Sequence, residues 1–138
     1  MRPTFTQLLL NYSTDKASVH DCPLPLDNTC AIRMSEALAA ISPGMTDVFR
    51  NAGVNVCPHG FVRGAQDLAR VLKSLWGTHS LGFESPGSPP SSIAGKQGVI
   101  CYMNIPTFRG QGHIDLWNRS APVGQAYWEA SPIWFWNL

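Results

Sequence analysis

The chain has 138 residues, a formal net charge of +1 and only 14 % charged side chains. That length suits one catalytic domain, residues 1–138, with a core of its own. The sequence lacks a basic cluster able to neutralise a phosphate backbone, which argues against a nucleic-acid partner. No apolar run approaches the ~20 residues of a membrane helix, so no membrane insertion is expected.

The start, Met1-Arg2-Pro3, lacks a leader core, because Leu8-Leu9-Leu10 is short and Asn11-Tyr12 interrupts it. The protein is therefore expected to be made in the cytoplasm without a signal peptide, and any export must use a route that reads no cleaved leader. Behind Pro3-Thr4, Phe5, Leu8, Leu9 and Tyr12 recur at helical spacing and predict a short first helix. Residues 13 to 28 are polar and punctuated by Pro23 and Pro25, a loop. Asn28 and Thr29 are residues that cap helix N-termini. After them Cys30, Met34, Ala37 and Ile41 form one apolar stripe, and Pro43-Gly44 ends the helix.

Residues 42 to 64 read as irregular, with Gly53, Pro58 and Gly60 as breakers. Ala65, Leu68, Leu72 and Leu75 predict a second amphipathic helix closed by Gly77. Residues 84 to 95 are rich in Pro, Gly and Ser and read as a loop. Gly98 to Met103 is a nearly continuous apolar run, as in a strand buried on both faces. Gly112 to Asn118 alternates, placing His113, Asp115 and Trp117 on one face and Ile114 and Leu116 on the other. Ile133 to Trp136 makes a closing strand. Helices first and strands afterwards predict an α+β fold, N-terminal helices packed on a C-terminal antiparallel sheet.

Cys30 sits in the first turn of its helix, where the helix dipole and first-turn N–H groups favour a thiolate. With His113 on a strand it has the layout of a papain-like site, in which a sulfur on a helix start meets an imidazole from the sheet. The N–H of Cys30 would help to hold an oxyanion. Taken singly, a buried cysteine is core filler and a strand histidine merely a hydrogen-bonded side chain.

Cys30-Ala31-Ile32-Arg33-Met34-Ser35 and, downstream, Gly112-His113-Ile114-Asp115-Leu116-Trp117-Asn118 resemble the motifs of the type VI secretion amidase effectors, fourth family. The likeness extends to Arg2-Pro3-Thr4-Phe5, to Gly95-Lys96-Gln97-Gly98-Val99-Ile100 and to the Trp134-Phe135-Trp136 ending. The resemblance implies an NlpC-type, papain-like fold without a cofactor. It also implies cleavage of peptidoglycan stem peptides between γ-D-glutamate and meso-diaminopimelate, delivery by the type VI apparatus into the periplasm of target bacteria, and a cognate immunity protein. Cys30 and His113 then become the catalytic pair. The family's third residue is an aspartate at the position held here by Gly124, so the sequence departs from the pattern. Neighbouring Gln125 ranks first as the replacement, able to orient the ring through its amide oxygen. Asp115 follows, its carboxylate expected alongside the ring and not behind it. Alternation aims Asn118 at the opposite face, and a two-residue dyad is the remaining alternative.

Stem peptides carry carboxylates, which a guanidinium binds bidentately, and Arg33 and Arg109 are the candidates. Arg33 has an equal structural reading, pinning its helix to a loop. Trp117, on the His113 face, is placed to border the cleft, whereas the aromatic ending reads as a strand closing the core. Segments 84–95 and 105–111 are placed to shape substrate access, the second also as an entry for an inhibitor. His20-Asp21-Cys22 and Cys57-Pro58-His59 supply zinc-type ligands at a spacing tighter than usual, so no metal is assigned. A Cys22–Cys57 disulfide and two unrelated loop cysteines are the other readings, and Cys101 reads as core. Two rivals to a hydrolase remain, an acyltransferase on the same fold and a non-catalytic module that binds the cell wall.

Overall fold

A computed structural model describes residues 2–13, 29–106 and 110–138. The first helix, α1 (Phe5–Asn11), starts on a capping box: the Thr4 hydroxyl accepts from the Gln7 backbone N–H, and the Gln7 amide oxygen accepts from the Thr4 N–H. Phe5 and Leu8 bury its apolar side.

The cysteine helix, α2 (Cys30–Ile41), has the predicted bounds and is buried on almost every side, including Arg33 and Ser35. Its N-terminus is not capped as expected. The Thr29 side chain makes no capping bond, and its hydroxyl instead accepts from Arg33 Nε at 3.1 Å. Asn28 lies outside the described residues.

Part of the stretch read as irregular is a short helix, α3 (Met45–Asn51), which buries only Phe49. With one buried residue it has no apolar stripe to betray it, and Asp47 and Arg50 suit the two ends of its dipole instead. The predicted amphipathic helix follows as α4 (Ala65–Trp76), ended by Gly77 at φ 86°.

Five antiparallel strands form one sheet: β1 (Leu81–Phe83), β2 (Gln97–Tyr102), β3 (His113–Asn118), β4 (Ala121–Pro122) and β5 (Ile133–Asn137), in the order β1-β5-β2-β3-β4. β2 is central and buried from Gly98 to Tyr102, as its unbroken apolar run predicts. A 3-10 turn at Ser91–Ile93 falls within the expected loop, and the short edge strands β1 and β4 fall in stretches to which the sequence assigned no element. Strands of two or three residues cannot show a period of two.

The two faces of the sheet carry different cores. Val99, Cys101, Ile114, Leu116 and Trp136 pack with residues of α1, α2 and α4. Ile100, Tyr102, Trp117, Ile133 and Phe135 pack with Ile93 and Ala130, bordered by Tyr127 and Trp128. The sheet is therefore covered on its second face by its own connecting segments, beyond the helix-on-sheet layering read from the sequence.

Candidate active site

Cys30 opens α2 and His113 opens β3, and the fold joins the two where the helix start meets the strand start. The Cys30 Sγ accepts a hydrogen bond from the backbone N–H of Ile114 at 3.4 Å. It also bonds to the His113 side chain. His113 Nε2 lies 3.3 Å from Asp115 Oδ2. All three side chains are buried, Asp115 completely.

Asp115 is held from three directions. Its Oδ1 accepts from the Leu116 N–H and its Oδ2 from the Gly124 N–H, both at 2.7 Å, while Oδ2 also faces the imidazole. A carboxylate so fixed by backbone donors has little freedom to turn away. Burial works against a charged imidazole, but the side-chain bonds to Asp115 and Cys30, with the charges of those groups, outweigh it. They hold the His113 pKa at about 9 instead of 6.5.

The ranking of Gln125 over Asp115 is not met by the geometry. Gln125 is exposed, and its Oε1 accepts from the Tyr127 hydroxyl at 2.9 Å. A Cβ added to Gly124 would come within 2.7 Å of Asp115 Oδ2. The carboxylate from the strand thus occupies the space where a side chain at 124 would begin. The i+2 placement, expected to set Asp115 alongside the ring, brings its oxygen to Nε2.

Arg33 is 6 % exposed. Its Nη1 donates to the Ser13 carbonyl at 2.9 Å, its Nε donates to Thr29, and its guanidinium lies 5.4 Å from the centre of the Tyr12 ring. These contacts pin α2 to the chain that follows α1, the structural reading and not the substrate-binding one. Arg109 lies outside the described residues, as do residues 107 and 108 of the segment expected to shape access. Trp117 does not border an open cleft: it is 2 % exposed, donates from Nε1 to the Ile93 carbonyl at 3.0 Å and meets Trp128 edge to face. Strand alternation gave its face correctly, but connecting segments cover that face.

Cys57 is buried and disulfide-bonded, while His20, Asp21 and Cys22 lie outside the described residues. Among the described residues no three His, Cys, Asp or Glu side chains stand together to hold a metal ion. Cys101 is core as expected. Its thiol donates to the Ala65 carbonyl at 3.6 Å, and burial pushes its pKa well up.

Sequence reasoning missed Tyr127, whose ring meets the His113 imidazole at 5.4 Å. It sits in an irregular segment, and no periodicity marks it.

The chain has no match among curated protein sequences. Solved structures share its fold. The type VI effector Tae4 of Enterobacter cloacae superposes with a TM-score of 0.72 at 20 % identity, covering 100 % of this chain and 98 % of the other. Tae4 of Salmonella Typhimurium, solved in an effector–immunity complex with Tai4, superposes with a TM-score of 0.75 at 22 % identity, covering 100 % and 99 %. The α+β fold is thus the papain-like one expected. Residues 26–136 match the family model of the type VI secretion system (T6SS) amidase effector protein 4, Tae4. The match spans both the cysteine helix and the histidine strand, and the chain belongs to the Tae4 family of type VI secretion amidase effectors.

Proposed function

We propose that this amidase effector is a cysteine endopeptidase of peptidoglycan that cuts stem peptides at the γ-D-glutamyl–meso-diaminopimelate bond. Cys30 is the nucleophile, His113 the proton carrier and Asp115 the group that orients the ring. The observation that supports this most is one imidazole bonded both to a buried sulfur and to a fixed carboxylate.

In this mechanism the proton of the Cys30–His113 pair rests on the imidazole, and the Cys30 thiolate attacks the scissile carbonyl carbon. The Cys30 backbone N–H, in the first turn of α2, helps to hold the oxyanion that forms. As the C–N bond breaks, His113 passes that proton to the departing amine nitrogen, leaving a thioester. Water then gives a proton to His113 and its oxygen to the acyl carbon, and the C–S bond breaks to restore the thiolate beside the protonated imidazole. Asp115 keeps Nε2 engaged, so that Nδ1 remains the nitrogen available to sulfur and substrate. Of the two arginine candidates, Arg109 is the one we retain for the stem-peptide carboxylates, because Arg33 is committed to Ser13 and Thr29.

Family membership supports delivery by the type VI apparatus into the periplasm of rival cells, and the effector–immunity complexes of related proteins support a cognate immunity protein. The test is digestion of purified sacculi by wild type and Cys30→Ala, with muropeptides read by mass spectrometry. Wild type is expected to yield products ending in γ-D-glutamate, and Cys30→Ala none. Equal effects of both proteins on the wall would mean a binding module, and acyl groups passed to an added amine instead of water would mean an acyltransferase.

A further inference from the structure

Tyr127 lies in the segment between β4 and β5 and is half-buried. Its ring meets the imidazole of His113 nearly edge to face, at 5.4 Å and 70°. On another side the imidazole is stacked against Tyr102, at 6.0 Å and 18°. The two tyrosines touch each other at 5.8 Å and 75°. His113 is thus held between one tyrosine fixed in the core and one carried by a connecting segment.

That segment is tied to β3 beside the site and carries a second bond within itself. The Gly124 N–H donates to Asp115 Oδ2, the oxygen that faces His113. Three residues further on, the Tyr127 hydroxyl donates to Gln125 Oε1. Burial, followed by the nearby charges of Cys30 and Asp115, raises the Tyr127 pKa, so the phenol keeps the proton it donates.

We propose that Tyr127, clasped by Gln125, is a positioning residue that keeps the His113 ring bonded to Cys30 and Asp115 together and shields those bonds from water. The proposal rests on the reading of Cys30 and His113 as the reactive pair. An imidazole on a strand can rotate about two bonds, and either rotation would break one of its two contacts. An aromatic wall removes that freedom, and excluding water strengthens the bonds that remain. Gln125 then serves the site through Tyr127 and not by touching the ring.

The experiment follows the His113 imidazole by NMR titration in wild type, Tyr127→Phe, Gln125→Ala and the double variant, together with turnover of a soluble stem-peptide fragment. Both substitutions lie at half-buried or exposed positions, and Tyr127→Phe keeps the ring while removing the clasp. Each single variant is expected to lower the imidazole pKa toward 6.5 and to reduce kcat about threefold, with little change in KM. The double variant falls no further than either, because one bond is being removed, and Gln125→Glu, which keeps an oxygen acceptor, recovers most of the loss. An imidazole pKa that stays put or rises in the single variants overturns the proposal, because a cover that only desolvates the ring would raise it when loosened. Additive losses in the double variant overturn it as well. A wild type that titrates as expected but cleaves no stem peptide defeats the amidase reading and leaves the positioning role standing.

Discussion

Asp115 carries two backbone hydrogen bonds and one imidazole on a single buried carboxylate. Asp115→Asn removes the charge and gives one oxygen position to an amide N–H₂, which cannot accept from the donors that now meet it. Hydrolysis is expected to fall about a hundredfold or more, because the imidazole loses the carboxylate that orients it and stabilises its charge. The same site sets a pH dependence. In the proposed mechanism the imidazolium of His113 is the acid that protonates the leaving amine, and its pKa is held up at about 9. Turnover should therefore decline as pH rises through about 9, and Asp115→Asn should move that decline toward 6.5. The raised pKa also contributes stability, fully present below 6.5 and lost as pH rises through about 9, which thermal unfolding against pH would read. At Tyr102 the buried hydroxyl has no hydrogen-bond partner among the described residues, so Tyr102→Phe sheds a desolvated polar group without losing any bond seen there. Its expected effect in denaturant unfolding is neutral, or stabilising by up to about 1 kcal/mol.

Between elements, single side chains and single glycines set how helices and strands meet. The Ser35 hydroxyl, fully buried on α2, accepts from the Val62 N–H at 3.1 Å and so ties the helix to the stretch before α4. Ser35→Ala would leave that buried N–H unsatisfied and should cost about 1–3 kcal/mol in urea unfolding. Gly112, immediately before β3, adopts φ +106°, and a Cβ there would run into the Tyr102 carbonyl. Tyr102 is the residue paired with His113 in the β2–β3 register, so the glycine permits the strand start that carries the imidazole. Gly112→Ala is expected to displace His113 and abolish most activity while the helical circular dichroism signal persists. The capping box of α1 makes a smaller claim: Thr4→Ala should cost about 1 kcal/mol of stability and leave turnover intact.

At the scale of the molecule, chain ends and remote segments meet around the sheet. The Arg2 guanidinium donates to the carbonyls of Trp76, at the end of α4, and of Asn137, at the end of β5. The disulfide at Cys57 adds a covalent tie, and reduction is expected to lower the melting temperature by several degrees while leaving Cys30 chemistry in place. By itself the sequence determined α2, α4 and the three long strands, because each carries an apolar period or an unbroken apolar run. It also singled out Cys30 and His113, through a cysteine on a helix start and motifs that resemble those of a known family. Local pattern cannot specify α3 or the short edge strands, which bury too few residues to leave a period. Nor can it specify which side chain stands behind the imidazole. That choice belonged to tertiary structure, because the segment after β4 packs its Gly124 N–H onto Asp115 and its Tyr127 onto His113, and long-range packing of this kind leaves no mark on residue spacing.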